Sequence, residues 1–195
     1  FSSHIEDCVK LSEKNNRVKF SGFLDLRQQK IAKVTAESIN NSFMLYGGFD
    51  DAERKMFGAF PDYVLDREEA FPISFIEFSY SRALSHRDFL GSILSLGIKR
   101  ELIGDILVGE NKCYVIVQSS FAEHIVNNIS KIGNVGVKAR ICSRNEATFY
   151  ESNFEENSAI ISSLRLDCVI AALCNKSRAD ASKFILSDKV MINHE

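Results

Sequence analysis

No apolar run in the sequence approaches the roughly 20 residues that a membrane-spanning helix needs, and no charged-then-apolar leader is visible at its start. A bilayer-spanning helix is therefore not expected, and the expectation of a cytoplasmic location rests on the cysteines. The five cysteines (Cys8, Cys113, Cys142, Cys168 and Cys174) form no C-x-x-C pair, and the four histidines (His4, His86, His124 and His194) fall at no metal-ligand spacing. An odd number of thiols in mostly apolar surroundings predicts reduced, buried side chains rather than a disulfide framework or a zinc centre. Neither a Walker loop nor a G-x-S-x-G elbow is present. The triplet His86-Arg87-Asp88 looks like the start of a kinase catalytic loop, but Ile93 stands where that loop needs asparagine, and no D-F-G or phosphate-binding lysine strand accompanies it. The expectation is a protein without catalytic residues, cofactor or metal.

What is present is a core-forming composition, 45% hydrophobic in 195 residues. That composition is globular rather than disordered, and the length allows one large or two to three small domains. The net charge of −2 hides an uneven spread. Residues 1–81 carry 10 basic and 13 acidic side chains, 82–144 carry 9 and 5, 145–159 carry 0 and 4, and 160–195 carry 5 and 4. A basic middle on a nearly neutral chain fits a protein that meets a polyanion on one face.

Residues 1–20 begin with a helix that places Ile5, Cys8 or Val9 and Leu11 on one side. Asp25 and Gln28 read as a capping box ahead of a helix to about Asn40. Phe43 to Tyr46 reads as a strand, followed by Gly47-Gly48, a short helix at Ala52-Glu53-Arg54 and a turn at Pro61. The reading is a small α/β domain over 1–70. From Pro72 the pattern is strand 73–78, a helix capped by Ser85 and Asp88 that ends at Gly97, strands 103–108 and 113–117, a helix capped by Ser120 and Glu123, and strand 135–141. That order is β-α-β-β-α-β, the ferredoxin-like or RRM-like plait, over 71–145. Its third strand offers only Tyr114 where an RNA-recognition motif shows stacking aromatics, so any RNA contact here needs another route. His86 and Arg87, with Lys99 and Arg100 at the far end of the same helix, are candidates for that route only if the fold gathers them around a groove. The alternative is a capped, packed helix with a solvated end.

After an acidic linker at 146–159, the stretch 160–195 is the most informative. Leu166, Ile170 and Leu173 lie at helical spacing, as do Ala181, Phe184 and Ile185 after a break at Asn175-Lys176-Ser177. Ser177 and Asp180 read as a capping box, and Val190 and Ile192 alternate with polar residues as in a half-buried strand. Arg165, Ser177, Arg178, Lys183, Lys189 and Asn193 remain once the apolar faces are assigned, and most can reach a phosphate by charge or hydrogen bond. Read as chemistry alone, they could equally be a helix cap and ordinary solvated side chains.

The pattern R-L-D, I-A, L, then S-R, A, F-I, K-V and I-N in this stretch resembles the S-four-type (αL motif) RNA-binding domain. By that resemblance, Arg165, Ser177, Arg178, Lys183, Lys189 and Asn193 face structured RNA. Asp188 stands where the family has glycine before the strand, which implies weaker RNA affinity there, and such a domain has further strands, so the module is expected to be incomplete. With F-L-D-L-R-Q-Q at 23–29, G-G-F-D-D-A-E-R at 47–54, P-D-Y at 61–63, the stretch 86–106 and S-S-L-R-L-D-C-V-I-A-A at 162–172, nearly the whole chain resembles the bacterial YlmH family. That resemblance implies an α+β protein with three domains that binds rRNA and tRNA on the large ribosomal subunit as a monomer. It implies a role in quality control of stalled translation and a link to cell-division genes. Arg165-Leu166-Asp167 also resembles the R-L-D of pseudouridine synthases, but here it opens a helix and leaves no room for a catalytic domain. A division-linked scaffold without RNA contact is the third reading.

Overall fold

Helix α1 (Ser2–Asn15) turns Ile5, Cys8, Val9 and Ser12 inward, the three-and-four spacing of an amphipathic stripe. It stops where Asn16 enters the left-handed region at φ 49°, which asparagine tolerates better than most residues. In this computed structural model, residues 1–39, 42–147, 158–187 and 189–190 are described. The chain divides into two compact units, 1–150 and 151–195.

In the first unit, β1 (Lys19–Leu24) leads into α2 (Leu26–Ser38). The Asp25 carboxylate accepts the Gln28 amide at 2.7 Å and the Gln28 side chain accepts the Asp25 amide at 3.0 Å, so the expected capping box is formed. Strands β2 (Phe43–Tyr46) and β3 (Lys55–Ala59) complete an antiparallel sheet in the order β1-β3-β2. Sequence reading gave only β2 of these three. In β1 the alternation is broken at Ser21-Gly22, where the ladder bulges between Phe20 and Phe23, and the Phe57 amide donates to Ser21 Oγ at 3.0 Å. The helix expected at Ala52-Glu53-Arg54 is absent; these residues form a bend. The Ala52 amide turns back to Phe49 O at 3.3 Å, while Glu53 and Arg54 N–H donate outward to the Asp105 carboxylate at 2.7 and 3.0 Å.

The plait follows as β4 (Ile73–Ser79), α3 (His86–Leu94), β5 (Ile103–Val108), β6 (Lys112–Gln118) and α4 (Ala122–Asn128). A short hairpin, β7 (Lys131–Ile132) and β8 (Val135–Gly136), then leads to β9 (Lys138–Cys142). The sheet order β5-β6-β4-β9, antiparallel throughout, is the split βαβ topology expected from the sequence. Ser85 and Asp88 form the expected box, but Ser120 and Glu123 do not. The chain leaves β6 through a 3₁₀ turn, Ser119–Phe121, pinned by the Ser119 amide on Pro72 O at 2.8 Å. Helix α4 therefore starts after Phe121 with no side-chain cap.

Three apolar clusters stack this unit. Ile5, Val9, Ala32, Ala36 and Phe57 pack α1 and α2 on the first sheet. Phe78, Phe89, Ile93, Val115 and Ile125 pack α3 and α4 on the plait sheet. Between the two sheets lie Phe23, Met56, Phe60, Phe71, Phe75, Tyr114 and Ile116. Close approach there needs small residues: a Cβ on Gly22 would meet Glu101 O at 2.7 Å, and one on Gly104 would meet the Phe23 ring at 2.7 Å.

The second unit holds α5 (Leu166–Leu173) and α6 (Arg178–Leu186), with Cys168 and Ala181 buried. Most of the strand expected around Val190 and Ile192, together with Asp188 and Asn193, lies outside the described residues.

Candidate nucleic-acid interface

The turn between α5 and α6 is built by one left-handed residue. Asn175 sits at φ 50°, and the Lys176 amide donates back to Ala171 O at 2.9 Å, satisfying a carbonyl that the helix end leaves free. The chain thereby reverses within residues 174–177, and Ser177 caps α6 by accepting the Asp180 amide at 3.1 Å. The other half of the expected box differs. The Asp180 carboxylate takes the Ser177 hydroxyl at 2.8 Å and Lys183 Nζ at 3.2 Å.

This turn brings the first residue of α6 to the first turn of α5. Arg178 Nη2 and Nε donate to Asp167 Oδ2 at 2.7 and 3.2 Å, and Arg165 Nε donates to Asp167 Oδ1 at 3.1 Å. The carboxylate is 14% exposed, whereas the two arginine side chains are 72% and 59% exposed. One shielded anion thus orients two guanidiniums whose remaining N–H groups point to solvent, a pre-organised fork for phosphate oxygens. Hydrogen bonds from Arg178 and then Arg165 hold the Asp167 carboxyl down to about 2. A carboxyl lowered below its ordinary 3.8 stabilises the fold above that value and loses this contribution as pH falls towards 2. Carbon-detected NMR titration is expected to place Asp167 well below its ordinary 3.8, and Arg178→Met to move it back up towards that value.

Of the sequence candidates, Arg165, Ser177, Arg178 and Lys183 are thereby gathered on the α5–α6 pair. Lys189 lies beyond the C-terminal end of α6, its Nζ 6.0 Å from the Phe184 ring centroid. Lys176, exposed in the turn beside Ser177, was not among the candidates; its position next to the S-R pair is the signal that could have found it.

The plait candidates are not gathered. His86 and Arg87 open α3, where the Asp88 carboxylate already takes the Ser85 amide at 2.8 Å. Lys99 and Arg100 lie past its other end, so the four form no single patch. Arg100 Nη1 donates to Ile103 O at 2.6 Å and to Gly104 O at 3.3 Å, and burial, with Arg54 nearby, lowers its guanidinium to about 10. It is a structural residue committed to backbone carbonyls. Tyr114, 2% exposed, lies between the two sheets, so stacking of bases on that part of the plait sheet is closed.

Among the described residues no group of three or more His, Cys, Asp or Glu could hold a metal ion, and no helix is long and apolar enough to cross a membrane. The family model described as "Putative RNA-binding domain in YlmH" matches residues 66–146, the plait with its flanks. The "Ribosome-associated protein quality control protein P2" of Bacillus subtilis (strain 168) is 27% identical over 187 residues, spanning 94% of this chain and 73% of that protein. The solved "Cell division protein ylmH from Streptococcus pneumoniae" shares the fold at a TM-score of 0.67 with 24% identity, over 74% of this chain and 90% of that one. The match of the plait to the family model and the likeness to the Bacillus protein over nearly the whole of this chain agree with the motifs at 23–29, 47–54 and 162–172, and by both comparisons the chain is similar to the YlmH family.

Proposed function

We propose that this chain is a non-enzymatic RNA-binding protein of ribosome-associated quality control that contacts rRNA and tRNA on the large subunit in the cytoplasm. The observation that carries the reading is the pair of exposed guanidiniums, Arg165 and Arg178, oriented by the shielded Asp167. Its context supports it: a Bacillus relative named for ribosome-associated quality control and a family domain named for RNA binding. Asp167 is paired with two arginines, which suits a positioning anion better than the catalytic aspartate of a pseudouridine synthase. Contacts of this kind recognise backbone charge and shape, not base edges.

Sedimentation with isolated large subunits across a salt series tests this. Co-migration is expected at low salt, tighter with peptidyl-tRNA present, and with affinity falling as a power of salt near −4 if about five phosphates are neutralised. Failure to co-migrate at low salt would leave the scaffold and modifying-enzyme readings, which a uridine-isomerisation assay separates.

A further inference from the structure

The plait sheet has a second end that the first sheet does not cover. Strands β4, β6 and β9 finish together there, with Ser79 opposite both Lys112 and Lys138. One step inward, Glu77 lies opposite Tyr114 and Arg140. Alternation puts Glu77, Ser79, Lys112, Lys138 and Arg140 on the face away from α3 and α4, the same face whose other half is closed by Phe23 and Phe71.

Glu77 is buried at this end, and its carboxylate accepts Lys112 Nζ at 3.1 Å and Arg140 Nη2 at 3.0 Å. Tyr114 Oη also donates to it at 3.3 Å. Burial pushes the Glu77 carboxyl up, and the hydrogen bonds from Arg140 and Lys112 outweigh that push and hold it below its ordinary value. Glu77 is 6% exposed, while Lys112 and Arg140 are 49% and 50% exposed. The arrangement repeats that of Asp167: a shielded carboxylate orients two cations towards solvent. Lys138 adds an exposed charge beside them. Two acids stand near this strip. Glu146 shares Arg140 at 3.3 Å while held by the Ser143 amide at 2.8 Å, and Glu110 lies in the exposed β5–β6 turn.

We infer that this open end of the plait sheet, Lys112, Lys138 and Arg140 organised by Glu77, docks an RNA backbone as a contact separate from the Arg165–Arg178 pair. The inference rests on the proposed function and says where the central domain meets RNA. Positive charge on an otherwise acidic chain marks a polyanion as the occupant, and the closed half of the face limits the contact to phosphates rather than stacked bases.

The test uses the full chain and isolated bacterial large subunits over a salt series. Lys112→Gln with Lys138→Gln leaves Arg140 to pair Glu77, and circular dichroism confirms the fold. Lys30→Gln with Lys33→Gln, exposed on α2, removes the same charge elsewhere. The Lys112/Lys138 variant is expected to bind about tenfold more weakly with a salt slope shallower by about two, one per lost lysine–phosphate contact, and the α2 variant to follow the wild type. Equal affinity and slope for the two variants would overturn the inference while leaving the proposed function standing. A wild type that binds no subunits at low salt would remove both.

Discussion

Reversal of both Arg165 and Arg178 to glutamate is expected to remove co-migration with large ribosomal subunits while the first unit stays folded. Each guanidinium offers charge-assisted hydrogen bonds to phosphate, so loss of two such residues weakens binding by about a hundredfold or more before repulsion is counted. The reversal also leaves Asp167 beside two new anions. Arg165→Gln with Arg178→Gln is therefore the companion variant: it removes the charge without adding like-charge repulsion, and α5 and α6 still pack through Cys168 and Ala181. Helix content by circular dichroism and subunit binding by sedimentation separate the two effects. Unchanged binding by the folded glutamine variant would take the α5–α6 pair out of the proposed function.

The parts of this architecture that sequence reading reached are those decided within a few residues. The boxes at Asp25 and Gln28 and at Ser85 and Asp88 join residues three apart, and β4, β5 and β6 follow from alternation and the turn at 109–111. What it missed depends on distant partners. Residues 52–54 look helical until Asp105, some fifty positions away, takes two of their amides. Arg100 looks like a solvated helix end until the fold lays carbonyls of β5 around its guanidinium. The same holds for the candidate interface. The α5–α6 turn and Ser177 are local and legible, and the resemblance picked out Arg165 and Arg178. That both share one carboxylate emerges only when the turn folds α6 back onto α5, and that Glu77 does the same for Lys112 and Arg140 emerges only when strands 35 and 63 positions apart are brought together.

Asp105→Ala is expected to destabilise the first unit more than any surface change, because Asp105 ties the motif at 47–54 to the plait. Its carboxylate accepts the Glu53 and Arg54 amides at 2.7 and 3.0 Å. Arg54 crosses the same joint, donating through Nε to Ile103 O at 3.1 Å and through Nη2 to Phe23 O at 2.8 Å. Burial pushes the Asp105 carboxyl up, and the two amides and Arg54 oppose that push. Alanine leaves the part-buried Arg54 amide without its acceptor, hands the exposed Glu53 amide to water and takes the anion away from Arg54 and Arg100, for a loss of about 2–4 kcal/mol. In a domain of this size that is a fall in Tm of roughly 5–15 °C. Asparagine keeps the shape and one carbonyl acceptor while shedding a charge that is costly to bury, so Asp105→Asn is expected to fall between alanine and wild type. Calorimetry of the three proteins checks the order. An alanine variant as stable as the wild type would mean that the sheets are joined by the apolar layer of Phe23, Phe71 and Tyr114 alone, with the Gly22 and Gly104 contacts sufficient to fix their register.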